Sequence, residues 1–130
     1  MSDEPLLTVS GLQSGYGGET VLQGVDLTIG RGEIVAVVGR NGVGKSTLMR
    51  TLTGLLNPSA GTIWFQGRDA TLDGADIRAR HGIGYIPQGR EVFPELTVRE
   101  NLMVGEVAGR GRSIPDYDTI YRFFPILKER

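Results

Sequence analysis

The chain has 130 residues and a formal net charge of −1, and its 22% charged and 39% hydrophobic content is typical of one soluble, folded domain. It contains no cysteine, which excludes disulfides, thiol catalysis and thiolate metal sites, and its only histidine, His81, has no suitably spaced partner for a zinc site. The longest apolar run, residues 34–38, is too short to cross a bilayer, so a cytoplasmic location is expected.

The N-terminal part of the chain predicts an antiparallel β unit followed by a buried strand. Residues 6–12 and 21–29 show the alternation of strands, and glycine-rich turns are expected at 14–20 and 30–33. Residues 33–39, EIVAVVG, are mostly β-branched and apolar. Such a run predicts a strand that is buried on both faces, as in a parallel sheet.

The middle of the chain predicts one helix, one strand and one short helix. Apolar residues recur at helical spacing over residues 45–54, and Gly54 is expected to form the C-cap. Residues 62–67 predict a strand, and residues 76–80 predict a short helix.

The C-terminal part predicts a second buried strand and two helical segments. Residues 82–88, GIGYIPQ, are expected to form a strand that ends at proline. Thr97 can N-cap a helix from residue 98 to about 108, with Glu100 as its capping-box partner. Residues 116–130 predict a helix that is broken at Pro125.

One segment predicts a phosphate site. Residues 39–46, GRNGVGKS, match the pattern G-x-x-x-x-G-K-[ST] between a predicted strand and a predicted helix. Glycines allow backbone amides to turn inward, and the helix N-terminus adds partial positive charge. Lys45 would bind the β- and γ-phosphates, and the Ser46 hydroxyl suits Mg²⁺. The alternative is a glycine-rich turn with an exposed lysine and no bound phosphate. The predicted binding residues are Gly39, Arg40, Asn41, Gly42, Val43, Gly44, Lys45, Ser46 and Thr47.

Three stretches, residues 21–42, 39–69 and 82–102, resemble the ATP-binding subunit of an ABC transporter and together cover more than half of the chain. The resemblance implies an α/β fold: an incomplete P-loop NTPase (ABC ATPase) core with an N-terminal antiparallel β subdomain. Residues 87–102 and 123–130 resemble a narrower group, the importer ATPases for branched-chain amino acids and for urea or short amides.

The resemblance also implies roles for residues outside the phosphate loop, residues 39–47. Tyr16 matches the aromatic residue that stacks on adenine, although a turn tyrosine is an equal alternative. Val21 matches an apolar position of the base pocket, or is simply a core strand residue. Gln88 matches the glutamine loop, where the side chain reaches Mg²⁺ or the attacking water.

The segment after the glutamine loop matches the surface on which a membrane subunit docks, with a helical subdomain starting at about residue 97. Phe93, Pro94 and Leu96 are expected to form an exposed apolar patch there. The alternative is that these three side chains pack under their own loop.

Parts needed for hydrolysis are missing from this sequence. No four apolar residues precede an Asp-Glu pair, no LSGGQ-like segment occurs, and His81 lies upstream of the glutamine loop, so no catalytic residue is assigned. The resemblance therefore implies an N-terminal portion that ends before the signature segment. Two strands expected between 33–39 and 82–88 would be absent, which predicts low solubility or loose packing of the chain made alone.

The implied function is ATP binding by an importer ATPase subunit, with hydrolysis powering uptake of branched-chain amino acids, urea or short amides. The implied cofactors are ATP and Mg²⁺, and the partners are membrane permease subunits and a second ATPase subunit, identical or different. The location would be the inner face of the cell membrane. The alternative is a nucleotide-binding fragment without turnover. Near-neutral charge disfavours a nucleic-acid repair ATPase, and the lack of Asn-Lys-x-Asp disfavours a GTPase.

Overall fold

The computed structural model describes residues 4–39, 44–87, 89, 92–109 and 116–129. The chain divides into two units, residues 1–78 and 79–130. The first unit contains an antiparallel sheet and one helix that packs on it, and the second contains helices. None of the described helices is long and apolar enough to cross a membrane.

The sheet of the first unit has four strands in the order β2-β1-β3-β4, and every neighbouring pair is antiparallel. Its strands are β1 (Leu7–Tyr16), β2 (Glu19–Ile29), β3 (Ala60–Phe65) and β4 (Arg68–Asp69). The predicted N-terminal antiparallel unit is therefore confirmed. The predicted turn over residues 14–20 is too long, because only Gly17 and Gly18 form it, both with positive φ as two-residue hairpins favour.

The central strand β1 is irregular and lies very close to its neighbours. Its register against β2 shifts after Val9, and the Gly11 N–H turns aside to donate to Asp26 Oδ1 at 2.7 Å. A Cβ atom at Gly61 on β3 would lie 2.4 Å from the Gly11 carbonyl oxygen. Glycine at position 61 is therefore a steric requirement of the β1–β3 pairing.

The helix α1 (Lys45–Leu52) covers one face of this sheet and completes the core. Its apolar side chains meet those of β1, β2 and β3, and each fully buried aliphatic side chain stabilises the fold by about 1.5–3 kcal/mol. The buried core residues are Val9, Leu12, Leu22, Leu48 and Ile63, with Leu7, Val25, Leu27, Met49 and Leu52 packed around them.

The C-terminus of α1 ends in a Schellman motif. The C-cap is Thr53, one residue before the predicted Gly54, and Gly54 follows it with φ +86°. The Leu55 N–H donates to the Arg50 carbonyl at 2.9 Å, and the Gly54 N–H donates to the Thr51 carbonyl. A Cβ at position 54 would lie 2.8 Å from the Ala75 nitrogen, so glycine is needed for space as well as for conformation.

The two predicted buried strands are wrong for this structure. Residues 33–39 and 82–87 have no strand pairing within the described part of the chain. Ile34 is 98% exposed, Val38 is 88% exposed and Ile86 is 94% exposed. A two-faced strand needs hydrogen-bonding neighbours and covered faces, and neither segment finds them among the described residues.

Helix α2 (Ala75–Arg80) spans the boundary between the units, and three helices follow in the second unit: α3 (Val98–Gly109), α4 (Tyr117–Phe123) and α5 (Ile126–Glu129). The capping box is confirmed, because Glu100 N–H donates to Thr97 Oγ1 and Thr97 N–H donates to Glu100 Oε1. The break at Pro125 is also confirmed, since α4 ends before it and α5 begins after it.

Candidate functional site

The start of α1 has a backbone conformation that suits close approach of a ligand. Gly44 is the N-cap, with φ 103° in the left-handed region, and it is buried. A Cβ there would lie 3.1 Å from Leu22 Cδ2 and 3.4 Å from Val21 Cγ1. The β2 strand therefore forms a wall directly behind the N-terminus of α1, and a side chain at position 44 would be strained by conformation and by crowding.

Lys45 joins the two ends of the predicted phosphate loop. Its Nζ donates to the Gly39 carbonyl oxygen at 2.5 Å. The ammonium group is therefore held beside Gly39, where the described residues before the loop end. Four predicted loop residues, Arg40, Asn41, Gly42 and Val43, lie outside the described residues.

The first turn of α1 favours an anion over a cation. It contains no acidic side chain, so nothing there neutralises the positive end of the helix dipole. Ser46 is exposed, with its hydroxyl on the side of the helix that solvent reaches, whereas Thr47 is buried. Of the two hydroxyls, the one predicted to bind the metal is thus the accessible one.

Tyr16 is placed at the end of β1 by a tight hairpin. It pairs with Glu19 across the two-residue turn, and its side chain is 45% exposed. A Cβ at Gly15 would lie 1.7 Å from the Glu19 carbonyl oxygen, so only glycine permits β1 to approach β2 this closely. Val21, two residues after Glu19, is half-buried beside Gly44. The hairpin thus presents an accessible aromatic ring, while Val21 lies next to the loop.

The structure describes part of the segment predicted to dock a membrane subunit. Gln88 lies outside the described residues. Phe93, Pro94 and Leu96 are exposed, so they do not pack under their own loop. The side chain of Asn101 holds their backbone: its Nδ2 donates to the Phe93, Leu96 and Thr97 carbonyls, and its Oδ1 accepts from the Phe93 N–H at 2.8 Å.

Two features near α1 were not found from the sequence. The first is Arg78, which is 1% exposed and donates to five backbone carbonyls. Two of these carbonyls, those of Thr51 and Leu52, lie in the last turn of helix α1. The others belong to Asp73, Ala70 and Thr71. A charged residue in a short predicted helix gives no sequence signal of burial, because such residues are mostly exposed.

The second feature is a buried pair of hydroxyls that joins β1 to α1. Ser14 Oγ lies 2.8 Å from Thr51 Oγ1, and Thr51 Oγ1 also donates to the Thr47 carbonyl. A sequence signal existed in this case. Ser14 is two residues after Leu12, which places both on the inward face of the strand.

Residues 22–128 match the family model described as ABC transporter. The match spans most of the sequence, including the phosphate-loop pattern, helix α1 and the helices of the second unit. The chain belongs to the ABC transporter family. The broader resemblance noted from the sequence is therefore confirmed.

Solved structures of ATP-binding subunits share this fold. One described as the ATP-binding subunit of an ABC transporter superposes with a TM-score of 0.73 at 35% identity, covering 95% of this chain and 50% of that one. An ATP-binding cassette named MJ1267 gives a TM-score of 0.71 at 29% identity, covering 91% of this chain and 46% of that chain. The predicted ABC ATPase fold class is confirmed, and the chain spans about half the length of these structures.

The names of curated relatives give a different solute from the one that the sequence suggested. A ribose import ATP-binding protein of Rubrobacter xylanophilus is 41% identical over 108 residues, 83% of this chain and 21% of the relative. One of Yersinia pestis is 40% identical over 111 residues, 85% of this chain and 22% of the relative. The chain thus spans about a fifth of these relatives, and their names give no support to branched-chain amino acids, urea or amides.

Proposed function

We propose that this chain binds the polyphosphate of Mg²⁺-ATP at residues 39–47, as part of the ATPase subunit of an ABC importer. The observation that carries the proposal is the start of α1. The left-handed Gly44 turns into a helix without acidic residues in its first turn, and Lys45 bridges back to Gly39. A helix N-terminus and one ammonium group beside it suit the oxygens of a polyphosphate.

The residues present fit both parts of the ligand. Ser46 offers an accessible hydroxyl of the kind that binds Mg²⁺ beside phosphate oxygens. Tyr16 offers an exposed ring for the base, and Val21 of the same hairpin lies beside Gly44. In the proposal, Gln88 is a further ligand of Mg²⁺ or of the attacking water. Bound Mg²⁺ would neutralise charge on the phosphates during phosphoryl transfer.

The proposed partners follow from the family and from the exposed patch. ABC importer subunits act with membrane permeases, and Phe93, Pro94 and Leu96 form an apolar surface on which such a subunit would dock. A second ATPase subunit would close the nucleotide site with its signature loop. The protein would then lie on the cytoplasmic face of the membrane. The alternative remains a nucleotide-binding fragment without turnover.

Two solute classes compete within this proposal. The names of the relatives favour ribose or a related sugar. Residues 87–102 and 123–130 favour branched-chain amino acids or urea. Hydrolysis measured with the permease in proteoliposomes separates them. Stimulation by a ribose-loaded binding protein supports the first class, and stimulation by one loaded with leucine or urea supports the second.

Nucleotide binding is the first test, because it does not require turnover. Isothermal titration of the full chain with Mg²⁺-ATP should give saturable binding, and Lys45→Ala should lower the affinity at least tenfold, since the phosphates lose their main counter-charge. The matched control is Lys128→Ala, because Lys128 is the other lysine and is exposed on α5. Equal affinity of both variants for ATP would contradict the proposal.

A further inference from the structure

The hydroxyl pair that links β1 to α1 has a defined hydrogen-bond direction. Thr51 has a single hydroxyl proton, which it donates to the Thr47 carbonyl at 2.7 Å. At the 2.8 Å contact, Ser14 is therefore the donor and Thr51 Oγ1 the acceptor. Both residues are 0% exposed, so water does not compete for this bond.

Stability alone does not require hydroxyls at these positions. The core around them is aliphatic, and alanine and valine of nearly the same shape would fill the same space without any desolvation cost. A hydrogen bond has a preferred distance and angle, whereas an apolar contact does not. It therefore restricts how far the strand can slide or rotate on the helix. The pair therefore points to a requirement for a defined position of β1 on α1.

Both ends of this link lie close to proposed nucleotide contacts. Tyr16 follows Ser14 by two residues, about 7 Å along an extended strand. Lys45 precedes Thr51 by six residues, about 9 Å along the helix. The register shifts between Ser14 and Gly15, and regular pairing resumes beyond it with Tyr16 opposite Glu19. A shift at Ser14 would therefore move the tyrosine, which belongs to the same hairpin.

A second contact fixes the same two elements nearer the loop. Leu22 and Val21 of β2 lie against Gly44, where α1 begins. The hairpin therefore contacts α1 through apolar side chains, here and in the core, and through one polar pair. Of these contacts, only the polar pair has a fixed direction.

We propose that Ser14 and Thr51 are positioning residues for nucleotide recognition. Their buried hydrogen bond holds the β1–β2 hairpin on the phosphate-loop helix and thereby sets the place of the Tyr16 ring relative to the phosphates. This inference rests on the proposed ATP-binding function. The pair should therefore affect how tightly the protein binds the base of ATP, and should not affect how tightly it binds the phosphates.

The test compares two ligands that differ in the base. Titrations of the full chain use Mg²⁺-ATP and Mg²⁺-tripolyphosphate, with the double variant Ser14→Ala/Thr51→Val. This variant removes both hydroxyls and leaves neither partner unsatisfied. We expect ATP affinity to fall about threefold to tenfold, the value of one aromatic stacking contact, while tripolyphosphate affinity stays within twofold.

Two controls separate positioning from general loosening. Thr51→Ser keeps the hydroxyl and should bind ATP like the wild type. In a Tyr16→Ala background the double variant should cause no additional loss of ATP affinity, because the ring whose place it sets is gone. If the double variant does not fold, Ser14→Ala alone serves, since Thr51 keeps its bond to Thr47.

The possible failures are distinguishable. If wild type binds tripolyphosphate and ATP but the double variant weakens both equally, or weakens neither, the positioning role is overturned and the ATP site stands. If wild type binds neither ligand, the proposed function itself is overturned and this inference falls with it.

Discussion

Arg78 illustrates how one buried cation organises the chain around α1. Its guanidinium group has five N–H donors, and it makes five hydrogen bonds to backbone carbonyls without using a carboxylate. The Asp73 side chain is instead paired with Arg68. Burial lowers the pKa of Arg78, and the nearby Asp73 carboxylate opposes part of that change.

We expect substitution of Arg78 to cost far more stability than substitution of its neighbour on the same helix. Arg78→Met removes the guanidinium donors from five carbonyls, of which only those of Thr51 and Ala70 have a backbone donor among the turn and cap hydrogen bonds of the described residues. The substitution should lower the free energy of unfolding by about 3 kcal/mol or more. The control is Arg80→Met, which changes an exposed side chain of α2. The free energies of unfolding of both variants are measured by urea unfolding, followed by the fluorescence of Trp64, the only tryptophan. Equal midpoints for the two variants would contradict this account of Arg78.

At the scale of elements, local signals locate the ends of the helices. The α3 capping box involves residues only three positions apart, so the sequence contains all of it. The Schellman ending of α1 and the break at Pro125 are local in the same sense. These features are predictable because their hydrogen bonds close within one or two turns of the same segment.

The capping box predicts a pH effect on α3. The backbone N–H of Thr97, and then its side chain, lower the pKa of Glu100 below the usual 4.5. Because the folded pKa is the lower one, the cap contributes fully above 4.5, and its contribution is lost as the pH falls through the lowered value. The protection of the amides in the first turn of α3 against exchange, relative to their intrinsic exchange rates, should therefore fall at low pH.

The matched variant for this effect is Glu100→Gln. Its neutral amide still offers an acceptor to the Thr97 N–H but does not titrate in this range. We expect the exchange protection of Glu100→Gln to be independent of pH across the same window. Identical pH profiles for wild type and variant, after correction for intrinsic exchange, would show that the cap does not respond to this carboxyl.

At the scale of the whole molecule, the main difference between expectation and structure lies in residues 33–39 and 82–87. Their β-branched, apolar sequences favour strands, but a strand forms only where other strands complete its hydrogen bonds. Sequence composition reports the preference and not the presence of those neighbours. The β1–β2 hairpin was predictable because a short glycine turn closes it, whereas the pairing of β3 with β1 and the short strand β4 were not predicted.

The phosphate loop was predictable for a further reason. Its chemistry depends on residue types at fixed spacing, so the pattern at 39–46 is visible without any tertiary information. Arg78 and the Ser14–Thr51 pair depend on contacts between residues 27 and 37 positions apart. The alternation of β1 hints that Ser14 faces inward, but only the assembled fold shows that Arg78 is buried and that Ser14 meets Thr51.

The exposed apolar segments predict a measurable property of the chain made from these 130 residues. Val35 and Val37 are exposed together with Ile34 and Val38, so residues 33–39 should exchange their amide protons rapidly while β1 is protected. A hydrophobic dye should bind, and Val35→Lys/Val37→Lys should reduce its binding and increase solubility. Slow exchange at residues 33–39 would contradict the unpaired state.

The central claim is that backbone amides at the start of α1 hold a polyphosphate, and an amide-resolved titration tests it most directly. In ¹⁵N-labelled chain, tripolyphosphate with Mg²⁺ should shift the N–H signals of Gly39, Gly44, Lys45 and Ser46 with one saturating affinity, and should leave the signals of β3 and β4 in place. Saturation in which those four signals stay fixed, or in which every signal moves equally, would contradict the claim.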